Sequence, residues 1–117
     1  MDNSISRTTL LMQDTSEILQ EVVQLDWQRC IDQNGVVDLS ELAQLSIARQ
    51  RLLISRWMQG QEQYAPAFHI VEQIRQQLID AQQDANPKIL WQKWQFRSYR
   101  QRLYRLPKQL LIATALQ

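Results

Sequence analysis

Lys88, Lys93, Arg97, Arg100, Arg102, Arg105 and Lys108 occupy residues 86–117 of this chain with no Asp or Glu among them. Trp91, Trp94, Phe96, Tyr99 and Tyr104 are interleaved with these cations. Clustered Arg and Lys bind phosphate backbones by releasing condensed counterions, and flat rings add base stacking. All twelve acids lie in residues 1–85 against six arginines, so the net charge of +1 divides into −6 followed by +7. Such segregation points to a polyanionic partner more clearly than a pI of 7.9 does. The alternative is a sheet whose outer face simply carries long solvated cations.

Other chemistry has little to build on. Gly35 and Gly60 are the two glycines, so neither a phosphate-cradling loop nor a dinucleotide fingerprint is present. One cysteine, Cys30, and one histidine, His69, show no metal-ligand spacing. Cys30 reads as a small buried residue near a helix end, and a lone cysteine suits a reducing compartment. His69 sits in a helical stretch as a surface or partly packed residue, and no nucleophile elbow occurs. No catalytic residue and no metal site are expected. No apolar run approaches the ~20 residues of a membrane span. Met1-Asp2-Asn3-Ser4 lacks the features of a secretory leader. A cytoplasmic protein is the expectation.

The elements that must position the cations follow from periodicity. At 117 residues the chain suits one domain. Leu11, Ile18, Val22 and Leu25, widened by Leu10, Leu19 and Val23, mark the buried stripe of a long first helix. It starts at Asp14, which has capping-box spacing to Glu17, or continues from about Ser6, and it ends before the turn at Asn34-Gly35. Val36 to Leu39 is a short β-type run, and Ser40 with Glu41 caps a brief helix through Leu45. Ser46 caps a helix to Gln59, with Gly60 after its last turn. There Trp57 is a core anchor, and Arg49 and Arg56 project two turns apart from similar angular positions. Ala65-Pro66 opens the third main helix, whose stripe is Ala67, Val71, Ile74, Leu78 and Ala81. Asp84-Ala85-Asn86-Pro87 breaks it.

Beyond Pro87 the period becomes two. Lys88 to Gln92, Trp94 to Arg100 and Arg102 to Leu106 read as a three-stranded meander, with turns near Gln92-Lys93 and Arg100-Gln101. Neither turn holds the Gly or Asn that tight hairpins favour. Trp94 and Phe96 fall opposite Gln95 and Arg97; Tyr104 and Leu106 fall opposite Arg105. Pro107 ends the last strand, and residues 107–117 form a tail or the start of a linker. The fold class is α+β: a mainly helical domain with a small antiparallel sheet formed by the C-terminal meander. The candidate phosphate contacts are Arg97, Arg100, Arg102 and Arg105, followed by Lys93, Arg49 and Arg56. Tyr99 is the candidate stacker, whereas Trp94, Phe96 and Tyr104 are assigned to the core.

Several segments in this order resemble the middle, substrate-binding domain of bacterial tRNA(Ile)-lysidine synthetases, also called synthases. They are Leu25-Asp26-Trp27-Gln28-Arg29-Cys30, Ala48-Arg49-Gln50-Arg51, and Ile54-Ser55-Arg56-Trp57-Met58-Gln59-Gly60-Gln61. Asp84-Ala85-Asn86-Pro87 and Phe96-Arg97-Ser98-Tyr99-Arg100-Gln101-Arg102-Leu103-Tyr104 complete the set. Two details depart from the family pattern: Gln50 separates Arg49 from Arg51, and no glycine marks the first hairpin turn. The resemblance covers about residues 7–106 and implies a substrate-binding domain over residues 1–106. It implies a tRNA-positioning role beside an N-terminal catalytic domain that attaches lysine to the wobble cytidine of tRNA(Ile). ATP and magnesium would belong to that catalytic domain, whose phosphate loop this chain lacks, and the chain alone would form no lysidine. The implied partners are tRNA(Ile) through its anticodon region and the catalytic domain, with room for a C-terminal domain of the same protein. A domain that braces the catalytic domain through protein contacts, without touching RNA, is the alternative.

Overall fold

The computed structural model describes residues 3–79 and 88–108. The break expected at Asp84-Ala85-Asn86-Pro87, the stripe position Ala81 and the tail beyond Lys108 lie outside the described residues. Helix α1 runs Asn3–Cys30, β1 Val37–Asp38, α2 Leu39–Leu42, α3 Ile47–Gln59 and α4 Phe68–Ile74. A π-helical turn, Arg75–Ile79, continues α4, and β2 (Lys88–Trp91), β3 (Trp94–Tyr99) and β4 (Arg102–Pro107) follow. The α+β class holds, with one strand more than the meander supplies. The sheet is four-stranded and antiparallel in the order β1-β4-β3-β2, because β1 joins the free edge of β4.

Helix α1 starts well before Asp14, and its first half leaves the core. Residues 7–21 are all exposed; the buried side begins at Val23 and continues with Asp26, Trp27 and Cys30, at i, i+3, i+4 and i+7. Only Val22 and Val23 of the expected core stripe are partly buried, Val23 against the core; Leu11, Ile18 and Leu25 are 58–65% exposed. Leu25 sits about 100° around the helix from Asp26, enough to move it from packed to free.

After α1 the Asp32 carboxylate accepts from the Asn34 and Val36 backbone N–H groups, and Gly35 takes φ 79°. That turn returns the chain into β1. The cap of α2 is Asp38, not Ser40: its Oδ1 accepts from the Ser40 and Glu41 N–H groups at 3.0 and 3.3 Å. Ser46 caps α3 as expected by accepting from Arg49 N, and Gly60 closes it at φ 51°. Helix α3 buries Gln50, Leu53, Ile54, Trp57 and Met58. Trp57 is the anchor anticipated: its ring lies 5.4 Å from Phe96, and Nε1 donates to the Gly35 carbonyl at 2.8 Å. Helix α4 begins after Ala65-Pro66, since Ala67 is still extended at ψ 156°. Val71, Ile74 and Leu78 complete the core through the π turn.

Glu72 ties this layer together. It pairs with Arg51 of α3 and with Arg75, whose Nε lies 3.1 Å away. Arg51 and then Arg75 hold its carboxyl down at about 2.

Both hairpins are tight despite lacking glycine. Trp91 pairs with Trp94 and Tyr99 with Arg102, leaving two residues in each turn. Gln92, Arg100 and Gln101 therefore take φ of 54°, 52° and 66°. Left-handed backbone costs a non-glycine residue on the order of 1 kcal/mol or more. Strand pairing meets that cost, and the Gln101 carbonyl is further held by Leu39 N–H at 2.9 Å. Pairing runs through Pro107, one residue past the expected strand end at Leu106. Gln95 lies on the polar side as anticipated, yet it is 1% exposed and donates Nε2 to the Pro107 carbonyl at 3.2 Å.

Candidate nucleic-acid interface

Residues paired directly across antiparallel strands share a face, so register assigns each strand cation to a side. One face carries Phe96, Ile89, Leu103 and Val37 and packs on the helices. The other carries three rows of partners. Lys88, Arg97 and Tyr104 form one; Leu90, Gln95 and Leu106 the second; Tyr99, Arg102 and Asp38 the third. Lys88 thus stands directly opposite Arg97, a like-charge pair that destabilises a bare sheet. The Nε of Arg97 is buried without a hydrogen-bond partner. Tyr99 is 61% exposed, and the Arg100 guanidinium lies 5.1 Å over its ring.

Asp38 is the one acid within the four strands. The Ser40 hydroxyl, donating at 2.6 Å, holds its carboxyl below the usual range; the Glu41 and Ser40 N–H groups and the charge of Arg102 add to this. Arg102 is therefore partly compensated, whereas Lys88, Arg97 and Arg100 meet no carboxylate among the described residues.

The remaining candidates lie elsewhere. Arg105 pairs with Phe96 and so belongs to the helix side of the sheet, where its guanidinium sits 4.6 Å over Trp94. Lys93, in the first hairpin turn, approaches the same ring at 5.8 Å and Glu62 at 3.8 Å. Arg49 and Arg56 part company despite their seven-residue spacing. Arg49 forms a two-pronged pair with Asp26, Nε donating to Oδ2 at 2.9 Å, while Arg56 is exposed and has no ion-pair partner among the described residues.

The structure thus gathers Arg97, Arg100, Arg102 and Tyr99 on one surface, sets Lys93 and Arg105 around Trp94, and leaves Arg49 and Arg56 on α3. Two residues of the surface stand outside the ranked candidate contacts. Lys88 gains significance only through its register against Arg97. Tyr104, assigned to the core, is half-buried on the outer face beside Arg97. Burial pushes the Cys30 thiol up to about 11, and no three metal-binding side chains converge among the described residues.

The fold and this surface define a small α+β domain with a cationic, aromatic sheet face. A family profile described as the TilS substrate binding domain matches residues 38–104, from β1 into β4. The tRNA(Ile)-lysidine synthase of Acinetobacter baylyi is 48% identical over 108 residues, which are 92% of this chain and 23% of that protein. The synthases of Blochmanniella pennsylvanica and Methylococcus capsulatus are 28% and 34% identical over 88% and 65% of this chain, covering 20% and 17% of their own lengths. The chain belongs to the tRNA(Ile)-lysidine synthase family, and it spans about a quarter or less of the length of the curated relatives it matches.

Proposed function

We propose that this domain binds tRNA(Ile) and holds its anticodon region so that the wobble cytidine reaches a catalytic domain elsewhere in the protein. Its contribution to lysidine formation is positioning, which converts a bimolecular encounter into an oriented one. ATP, magnesium and bond formation belong to that other domain, and the site of action is the cytoplasm. The substrate-binding domain is assigned to residues 1–106, with residues 107–117 a tail or the start of a linker. The observation that supports RNA binding best is the Lys88–Arg97 opposition on a face otherwise nearly free of acid. Such a surface is relieved by a polyanion.

The test is tRNA binding by this chain across a salt series. Log affinity should fall linearly with log salt, with a slope of roughly −0.9 per phosphate contact. No binding at about 0.05 M salt, or binding indifferent to salt, overturns the proposal. Lysine incorporation by this chain alone would also contradict it.

A second observation favours a protein contact in the same molecule. The exposed Leu11, Ile18 and Leu25 repeat every seven residues along α1, which places them in one nearly straight row. The relatives are about four to six times as long as the matched segments, and the catalytic domain is the occupant proposed for this row. Replacing all three with Gln in the complete protein should loosen the two domains, read as separate melting transitions, while leaving tRNA binding by the isolated domain unchanged. A single unaltered transition excludes the contact.

A further inference from the structure

Where α3 ends against the first hairpin, a cleft of about 370 Å³ opens between Trp27, Trp57, Gln59, Gly60, Lys93, Trp94 and Arg105. Volumes of this size suit small organic groups. Its construction is specific. The Arg105 guanidinium rests on the Trp94 ring at 4.6 Å, and it meets Gly60 so closely that a Cβ there would stand 3.0 Å from Nη1. Gly60 therefore does two things: it takes the positive φ that stops α3, and it leaves room for the guanidinium. An arginine stacked on an aromatic ring has lost much of its freedom, yet it keeps its N–H edge for an acceptor. Among the described residues no carboxylate pairs with it. The exposed Lys93 supplies a second cation at the rim, tethered only loosely at 3.8 Å to Glu62, a half-buried carboxylate that also lines the cleft.

The walls are equally suggestive. Trp27 and Trp94 are both partly buried against the core and offer indole surface to the cleft. The floor is held by Trp57, whose Nε1 is already committed to the Gly35 carbonyl. Indole walls beside a stacked guanidinium match a flat ring attached to an anion. An acidic peptide would use the cations but has no use for the indoles.

From this geometry we infer that the cleft is a subsite for one unpaired nucleotide of RNA, its phosphate on Arg105 and Lys93 and its base against the indole walls. It lies on the helix side of the sheet, apart from the Arg97–Tyr99–Arg102 face. The bound RNA strand would thus pass around the sheet edge, with a single nucleotide turned inward. The inference rests on the RNA-binding reading above and adds to it a preference for unpaired over duplex RNA.

The experiment is tryptophan fluorescence of the full chain titrated with three probes: a short single-stranded oligoribonucleotide, a duplex of the same composition, and poly-glutamate. The single strand should quench, the duplex should quench far less, and poly-glutamate should not quench. Arg105→Ala should weaken single-strand binding about tenfold, as expected for loss of a charge-assisted, two-pronged phosphate contact. Arg105→Lys should recover only part of that, because it restores charge without the plane. Trp94→Phe should keep most of the affinity and lose much of the quench. Equal binding and quenching by duplex and single strand would overturn the subsite while leaving the RNA reading intact. Binding of neither RNA would remove both. Quenching by poly-glutamate equal to that by RNA would reassign the cleft to an acidic protein segment. If Arg105→Ala melts below the assay temperature, Arg105→Lys carries the decision: full affinity in that folded variant refutes the stacked-arginine site.

Discussion

Replacing Arg97, Arg100 and Arg102 together with alanine should cut tRNA affinity at about 0.1 M salt by roughly 10²–10³-fold. Each phosphate contact contributes roughly 0.9 log unit of affinity per tenfold dilution of salt, so three contacts account for about 2.7 units relative to 1 M. The log–log salt slope should flatten by the same two to three units, and the wild-type and variant curves should converge toward about 1 M. The three contributions should be unequal. Arg97 faces Lys88 across the strand pair and meets no carboxylate among the described residues, so its removal relieves repulsion in the free domain as well as losing a contact. Arg102 is paired in register with Asp38 and already spends part of its field on that carboxylate. Arg100 lies over the exposed Tyr99 ring, so its loss also frees the candidate stacker. Removing Arg102 alone should therefore matter least. Thermal melting must accompany the measurement, because arginine stems cover neighbouring rings. A folded triple variant with unchanged affinity and slope would show that RNA does not meet this face, and the free Arg56 would be the next cation to test.

The cations of that face were legible in the sequence because period two and charge segregation are local signals. Strand limits came within about one residue, and both turns fell at the expected pairs. The α3 helix was readable for a similar reason: Ser46, Gly60 and the Trp57 stripe are all encoded within fifteen residues. What the sequence could not display was register. A period of two divides each strand into two faces but does not say which residue stands opposite which. Hence the pattern does not single out Lys88 opposite Arg97, it places Tyr104 in the core, and it does not join β1 to β4. Helix α1 failed differently. Its Leu11–Ile18–Leu25 row is genuinely amphipathic, but amphipathicity marks a face fit for burial without naming what buries it. Within the described residues Val23, Asp26, Trp27 and Cys30 hold that position, and a buried aspartate is the last residue a hydrophobic pattern would nominate. Arg49 and Arg56 make the same point. Equal angular placement says nothing about a carboxylate arriving from another helix.

That carboxylate underlies the second large effect. Asp26 is 2% exposed, and its side chain is answered by Arg49 through both Nε and a terminal nitrogen. Arg49→Met keeps the helix propensity and the apolar stem but leaves Asp26 buried with no cation. Breaking a buried pair from one side typically costs about 3–5 kcal/mol. The Arg49 side chain is 45% exposed, so water screens part of the pair and the lower end, about 2–3 kcal/mol, is expected here. For a domain of this size that is a fall in melting temperature of roughly 10 °C. The double variant Asp26→Leu/Arg49→Met should regain most of it, because replacing both partners with apolar groups removes the stranded charge. A drop of only about 1–2 °C in the single variant would mean the pair behaves as an ordinary surface bridge. Arg49 would then be as available to phosphate as Arg56. The expected large drop, with recovery in the double variant, makes Arg49 the bolt between α1 and α3, and the RNA-facing cations are then to be sought on the sheet.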